Sequence, residues 1–164
     1  MRVLAGETGS QLPAKGSTVS APIAECPLCH DPAAVLWSHP DLFVIEVAEP
    51  DYPGFTRVVW RRHVAEMTDL QAAERDRLMS AVWCVEAAQR GVLRPRKVNL
   101  ASLGNQVPHL HWHVIPRWTD DPAYPDAIWA PARRPGADPV AAADLARYRT
   151  ELPQALEMLA ETWR

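Results

Sequence analysis

No stretch of this 164-residue chain approaches the roughly 20 consecutive apolar residues that a membrane-spanning helix needs. Its opening residues carry one arginine and then only Val3, Leu4 and Ala5, too short a run for a secretory leader, so a cytoplasmic protein is expected. An excess of one charge is lacking too. The 17 Lys and Arg stand against 20 Asp and Glu, a formal net charge of −3, whereas domains that coat nucleic acid are usually strongly basic. Three cysteines, Cys26, Cys29 and Cys84, are too few and too uneven for a disulfide framework. There is no glycine-rich phosphate loop of the Walker type and no internal repeat. What remains is a soluble-protein composition and enough chain for one domain with its own core.

Residues 1 to 22 are rich in Gly, Ser, Thr, Ala and Pro without a hydrophobic period, and read as a flexible N-terminal tail. Residues 23 to 164 read as a single domain. Leu42 to Val47 and Thr56 to Trp60 are strand-like runs separated by the breaker-rich segment Glu49 to Gly54. Thr68, with Gln71 three residues on, predicts a helix start; Leu70, Ala73, Leu78, Ala81, Val82 and Val85 keep a helical spacing, and Gly91 ends it. Val98 to Leu100 and Leu110 to Ile115 read as two further strands, the second closed by Pro116. After residue 117 comes an irregular proline-rich segment. Asp138-Pro139 then opens a C-terminal helix with Leu145, Tyr148 and Leu152 as its stripe, broken or kinked at Pro153. The order of elements predicts an α+β fold around a small antiparallel sheet.

The most informative run is His109-Leu110-His111-Trp112-His113-Val114-Ile115. On a strand, alternate side chains share a face. One face therefore carries three imidazoles and the other carries Leu110, Trp112 and Val114, which suit a core. A lone histidine on a strand is an ordinary structural residue; a row of three is not, because protonated rings repel and neutral rings are nucleophiles, proton carriers or ligands. Alternate positions lie about 6.7 Å apart, so His109 and His113 are too distant to converge readily on one tetrahedral ion. Two readings remain: His109 and His111 could share a metal, or a neutral imidazole could attack phosphorus as a nucleophile.

This run resembles the signature of the histidine triad (HIT) superfamily. The approach Gly104-Asn105 with Val107 and His109, the following Pro116-Arg117, and the upstream stretch from Pro53-Gly54 to Arg61-Arg62-His63 resemble the same family. Within it the chain resembles bacterial HIT hydrolases of the diadenosine tetraphosphate hydrolase type. The resemblance implies a HIT-like fold with a sheet of about five strands, one long helix between strands and a C-terminal helix. It also implies a homodimer and a small-molecule nucleotide substrate attacked at its α-phosphate. By position, His111 is the expected nucleophile, His113 the partner of the phosphate or leaving group, and His109 a supporting residue. Asn99, Asn105 and Gln106 are expected to contact the nucleotide. Asn105 and Gln106 stand where the family often has other residues, and Phe55 replaces the usual His of Pro-Gly-His. The expected activity is hydrolysis. A nucleotidyltransferase or phosphorylase on the same histidine, a zinc-dependent hydrolase and a non-catalytic nucleotide-binding dimer are its rivals.

Cys26-Pro27-Leu28-Cys29 fits a zinc knuckle, a redox pair or two free thiols. Several HIT proteins carry such a pair here and complete a zinc site with two histidines. Those positions match His63 and His109, so a structural zinc on Cys26, Cys29, His63 and His109 is expected, with His30 and His39 as competing ligands. Cys84 reads as a small helix residue. Arg57, Arg61 and Arg62 could draw phosphate, although a charged strand end is more often solvated surface. Trp118 and Trp129 could stack on a base, although packing is the commoner role.

Overall fold

Strands whose successive residues are both apolar bury two faces, and each face then needs a cover. The computed structural model describes residues 26–30 and 34–163; the tail expected over residues 1 to 22 lies outside them. Strands β1 (Val35–Ser38), β2 (Leu42–Glu46), β3 (Thr56–Trp60), β4 (Lys97–Ala101) and β5 (His111–Arg117) form one antiparallel sheet in the order β1-β2-β3-β5-β4. Helices α1 (Ala72–Ala88) and α2 (Ala142–Ala160) complete an α+β architecture.

The helices cover one face. Val44, Val58, Val98 and Val114 pack there with Leu78, Ala81, Val82 and Val85 of α1 and Tyr148, Leu152 and Leu156 of α2. The last three have no exposed surface and stand four residues apart, so they form one stripe. Leu152 and Leu156 each contribute about 1.5–3 kcal/mol by leaving water. Tyr148 also donates its hydroxyl hydrogen to Thr56 Oγ1 at 2.7 Å, because the Thr56 hydroxyl itself donates to the Gly54 carbonyl at 2.9 Å. On the opposite face, Phe43, Ile45 and Val59 pack against Cys26 and Leu28, so the cysteine-bearing segment is the lid over that side.

Several boundaries differ from the sequence reading. Strand β1 was not anticipated; it is four residues long and lies between Pro32 and Pro40. Helix α1 is capped by Gln71, not Thr68: Glu74 accepts from the Gln71 N–H at 2.7 Å, and Thr68 belongs to a separate short turn, Met67–Asp69. Gly91 does not end the helix. A π-helical turn, Gln89–Leu93, continues it because Val92 and Leu93 are buried, and Arg94 closes it with a left-handed backbone at φ 52°. In that turn Gln89 Nε2 donates to the carbonyls of Gly54 and Val114, both at 2.9 Å, which ties α1 to the sheet beside the histidines. Helix α2 starts after Ala141 rather than at Asp138-Pro139, and it runs across Pro153. Burial of Leu152 and Leu156 on either side of that proline holds the helical register. Strand β5 likewise continues through Pro116 to Arg117.

Gly54 has φ +79°, and a Cβ there would stand 2.4 Å from Leu93 Cδ1, so this turn requires glycine. Truncating the α2 stripe tests the packing. Leu152→Ala is expected to lower unfolding stability by about 2–5 kcal/mol in denaturant titrations. A loss below about 0.5 kcal/mol would show that α2 does not close the core.

Candidate active site

Strand parity places the triad. Trp112 and Val114 face the helices, so His111 and His113 project from the other side of β5. His109 lies just before the strand. All three are buried, with at most 6% of their surface exposed. Their nitrogens are assigned one by one through hydrogen bonds. The His111 Nδ1 atom is 2.6 Å from the His109 carbonyl and therefore carries a proton, which leaves Nε2 with its lone pair. That Nε2 faces His113 Nε2 at 3.1 Å, so His113 donates from Nε2. His113 Nδ1 in turn accepts from Arg57 Nε at 3.4 Å. His109 Nε2 donates to the Trp60 carbonyl at 2.5 Å, leaving Nδ1 of that ring with its lone pair.

His109 Nδ1 points at the cysteine pair. It lies 3.4 Å from Cys26 Sγ and 3.5 Å from Cys29 Sγ, and Cys29 Sγ is 3.3 Å from His63 Nδ1. The ligand atoms of Cys26, Cys29, His63 and His109 all fall within 4.8 Å of one another. An ion with tetrahedral bonds of about 2.3 Å to sulfur and about 2.0 Å to nitrogen sets those atoms about 3.5 Å apart. The four side chains can therefore hold a metal, and the Trp60 carbonyl orients the His109 ring behind them. The competing histidines do not join this group. His39 stacks on Trp37 and meets Trp163 edge-on, and exposed His30 is outside the four.

His111 and His113 open on a pocket of about 390 Å³ that Asn105, Gln106, Arg57, Leu28 and Trp129 also line. Gly104, at φ +69°, turns the chain so that Asn105 to Val107 form one wall. Asn99 is elsewhere. It lines an adjoining cavity of about 670 Å³ with Ile115, Ile128 and Trp129, and its Oδ1 accepts from Arg117 Nη1 at 2.8 Å. The three arginines separate cleanly. Arg61 donates to the His39 carbonyl at 2.7 Å and Arg62 pairs with Glu74 at 3.0 Å; only Arg57 reaches the pocket. Trp118 is buried against the helices, whereas Trp129 is exposed and edge-on to His113 at 5.4 Å.

The family model of the HIT domain matches residues 30–120, more than half of the chain. The chain belongs to the HIT family. AP-4-A phosphorylase of Mycobacterium tuberculosis is 28% identical over 128 residues, 74% of this HIT chain. The chain spans 66% of that relative's length. A crystal structure of a histidine triad protein from Bradyrhizobium japonicum superposes with a TM-score of 0.62 at 28% identity, covering 74% of this chain and 89% of that one. A zinc-bound histidine triad family protein from Mycobacterium smegmatis does so with a TM-score of 0.54 at 20% identity, covering 84% and 97%. The last likeness concerns the fold.

Two features of this HIT site escaped sequence reasoning. Arg117, noted only for its place after the triad, is buried. It donates to Asp121 through Nε at 2.7 Å and Nη2 at 2.9 Å, and its guanidinium lies between Tyr52 and Tyr124. Burial by itself would raise the Asp121 carboxyl, but the Arg117 hydrogen bonds and charge hold it below the usual carboxylate range. An acidic residue four positions after the arginine was the available signal. The second feature is the contact of Arg57 with His113, which depends on their direct pairing between β3 and β5.

Burial also sets the charge state of the triad. Desolvation lowers all three histidines below their ordinary 6.5; for His113, neighbouring His111 and Arg57 add to it and bring the value down to about 4. In the unfolded chain His113 regains a pKa near 6.5. As pH falls from about 6.5 towards about 4, the unfolded state binds a proton that the folded state refuses, so stability falls over that window and the site adds no slope above it. Comparing unfolding midpoints at about pH 7 and about pH 4.5, His113→Asn is expected to lose less stability than the wild type. Equal losses would show that the His113 ring titrates normally in the fold.

Proposed function

We propose that this HIT protein cleaves small nucleotidylated compounds, dinucleoside polyphosphates foremost, at the α-phosphate through a covalent nucleotidyl intermediate on His111. The observation that carries this reading is the bare Nε2 of His111, buried and neutral, facing a pocket with its proton committed to Nδ1. An imidazole so arranged attacks without first losing a proton. In the first step a bond forms from Nε2 to the α-phosphorus. The bond from phosphorus to the bridging oxygen breaks, and its electron pair leaves with that oxygen. His113 Nε2–H, released from His111 as the substrate enters, donates to a phosphoryl oxygen. In the second step water attacks the same phosphorus, the nitrogen recovers its lone pair and the water proton passes to solvent. Asn105 and Gln106 contact the phosphates. The nucleoside extends into the adjoining cavity beside Asn99 and Trp129.

Phosphate as the acceptor in place of water is the second reading, favoured by the name of the M. tuberculosis relative. The chemistry on His111 is the same; the acceptor differs. Zinc is the ion that two thiolates and two imidazoles suit best. Bound to Cys26, Cys29, His63 and His109 with no open position, it would be structural, tying the N-terminal lid to the triad strand and fixing the ring of His109.

His111→Ala is expected to lower turnover of diadenosine tetraphosphate by about 10³-fold or more with the fold intact. Wild type quenched in alkaline denaturant, where the P–N bond survives, is expected to carry a nucleotidyl adduct that the variant lacks. Undiminished turnover in the variant would contradict the reading. Binding of adenosine monophosphate without turnover of any polyphosphate, with water or phosphate as acceptor, would instead mark a non-catalytic binding protein. Protein purified without added metal is expected to hold about one zinc per chain, lost in Cys26→Ser/Cys29→Ser together with a lower unfolding midpoint. Equal zinc in both proteins would place the metal elsewhere.

A further inference from the structure

Arg57 is a half-buried cation with little to balance it. Among the described residues no carboxylate pairs with it, and its one hydrogen bond runs from Nε to His113 Nδ1 at 3.4 Å. The rest of the guanidinium, two Nη groups without a hydrogen-bonded partner among the described residues, borders the same pocket as His111 and His113. The aliphatic and ring surface around it offers no counter-charge: Phe55 lies 5.7 Å below the guanidinium and packs its ring 5.6 Å from His113. Burying an unpaired charge is unfavourable unless a partner arrives. A polyphosphate supplies one, since guanidinium forks match phosphate oxygens in charge and geometry.

We propose that Arg57 is the specificity-determining residue of this site, binding the phosphates beyond the scissile bond so that substrates whose leaving group departs as a phosphate or polyphosphate anion are preferred over those that release a neutral amine. The inference rests on the catalytic reading above and refines its substrate class. When the bond from the α-phosphorus to the bridging oxygen breaks, the electron pair settles on an oxygen of the departing phosphate, next to Nη. The Nε contact keeps His113 as an Nε2–H donor at the same time, so one side chain serves both the leaving anion and the triad. An amine leaving group has no anionic oxygen for Arg57 to meet and must gain a proton, which an arginine does not release.

The test pairs two substrates sharing one nucleotidyl group, diadenosine tetraphosphate and adenosine 5′-phosphoramidate, with wild type, Arg57→Leu and Arg57→Lys. The ratio of kcat/KM for the first over the second is expected to fall by about 10–100-fold in the leucine variant, the range of a lost charge-assisted contact, and to recover in part with lysine. A loss shared equally by both substrates would overturn the proposal, because it would mean that Arg57 serves only the α-phosphate or the fold. Binding supplies an arm independent of turnover. ATP is expected to bind wild type more tightly than AMP, and that advantage is expected to vanish in Arg57→Leu while AMP still binds. An unchanged ATP-to-AMP ratio would refute the role of Arg57 whatever the turnover. If neither substrate is turned over by wild type but the ratio collapses in the variant, the Arg57 subsite stands and the catalytic reading falls.

Discussion

Every ring nitrogen in the triad is spoken for, and that constraint organises the site. Buried imidazoles cannot rely on water to set their tautomers, so each proton must be placed by a neighbour. Here the chain of assignments runs from Arg57 through His113 to His111, whose proton goes to the His109 carbonyl; His109 itself donates to the Trp60 carbonyl and turns its remaining nitrogen to the cysteines. The result is one lone pair facing the pocket and another facing the cysteine pair, on rings two residues apart.

The fold makes these assignments stiff. The triad strand is paired on both sides, with β3 and with β4, so its backbone carbonyls are fixed in position. Its other face is locked into the helix layer by Trp112 and Val114. Gln89 grips the Val114 carbonyl from the π-helical turn, and the Arg117–Asp121 pair anchors the chain where it leaves the strand and begins the irregular segment that carries Trp129. The lid with Cys26 and Leu28 covers the opposite face of β2 and β3. A metal on the side chains of Cys26, Cys29, His63 and His109 would therefore join the lid to the strand that bears His111. Stability and chemistry meet at His109.

Much of this was readable in the chain. Strict alternation from His109 to Val114 settles which face holds imidazole and which holds core, because a strand has a period of two. The cysteine pair and His63 could be matched to a ligand set only through family resemblance, and the geometry brings those same four side chains together. Less legible were features that depend on register between distant strands. Arg57 faces His113 because β3 and β5 pair them directly, and Asn99 turns to Arg117 across the β4–β5 ladder; neither pairing has a local signal. The helix limits depart from local signals where tertiary burial overrides a breaker: a π-helical turn continues α1 past Gly91, α2 runs through Pro153 unbroken, and at the start of α1 the Gln71–Glu74 capping box prevails over Thr68. Strand β1 is too short for its alternation to stand out.

The chemistry of this site turns on the His111 tautomer, and nitrogen NMR reads tautomers directly. In protein labelled with ¹⁵N at histidine, the expected result is a His111 signal pair in which Nδ1 carries the proton and Nε2 is bare, unchanged as the pH is lowered from about 8 through the ordinary histidine pKa of about 6.5. A His111 protonated at Nε2, or doubly protonated at neutral pH, would contradict it, since Nε2 would then have no electron pair to offer to phosphorus.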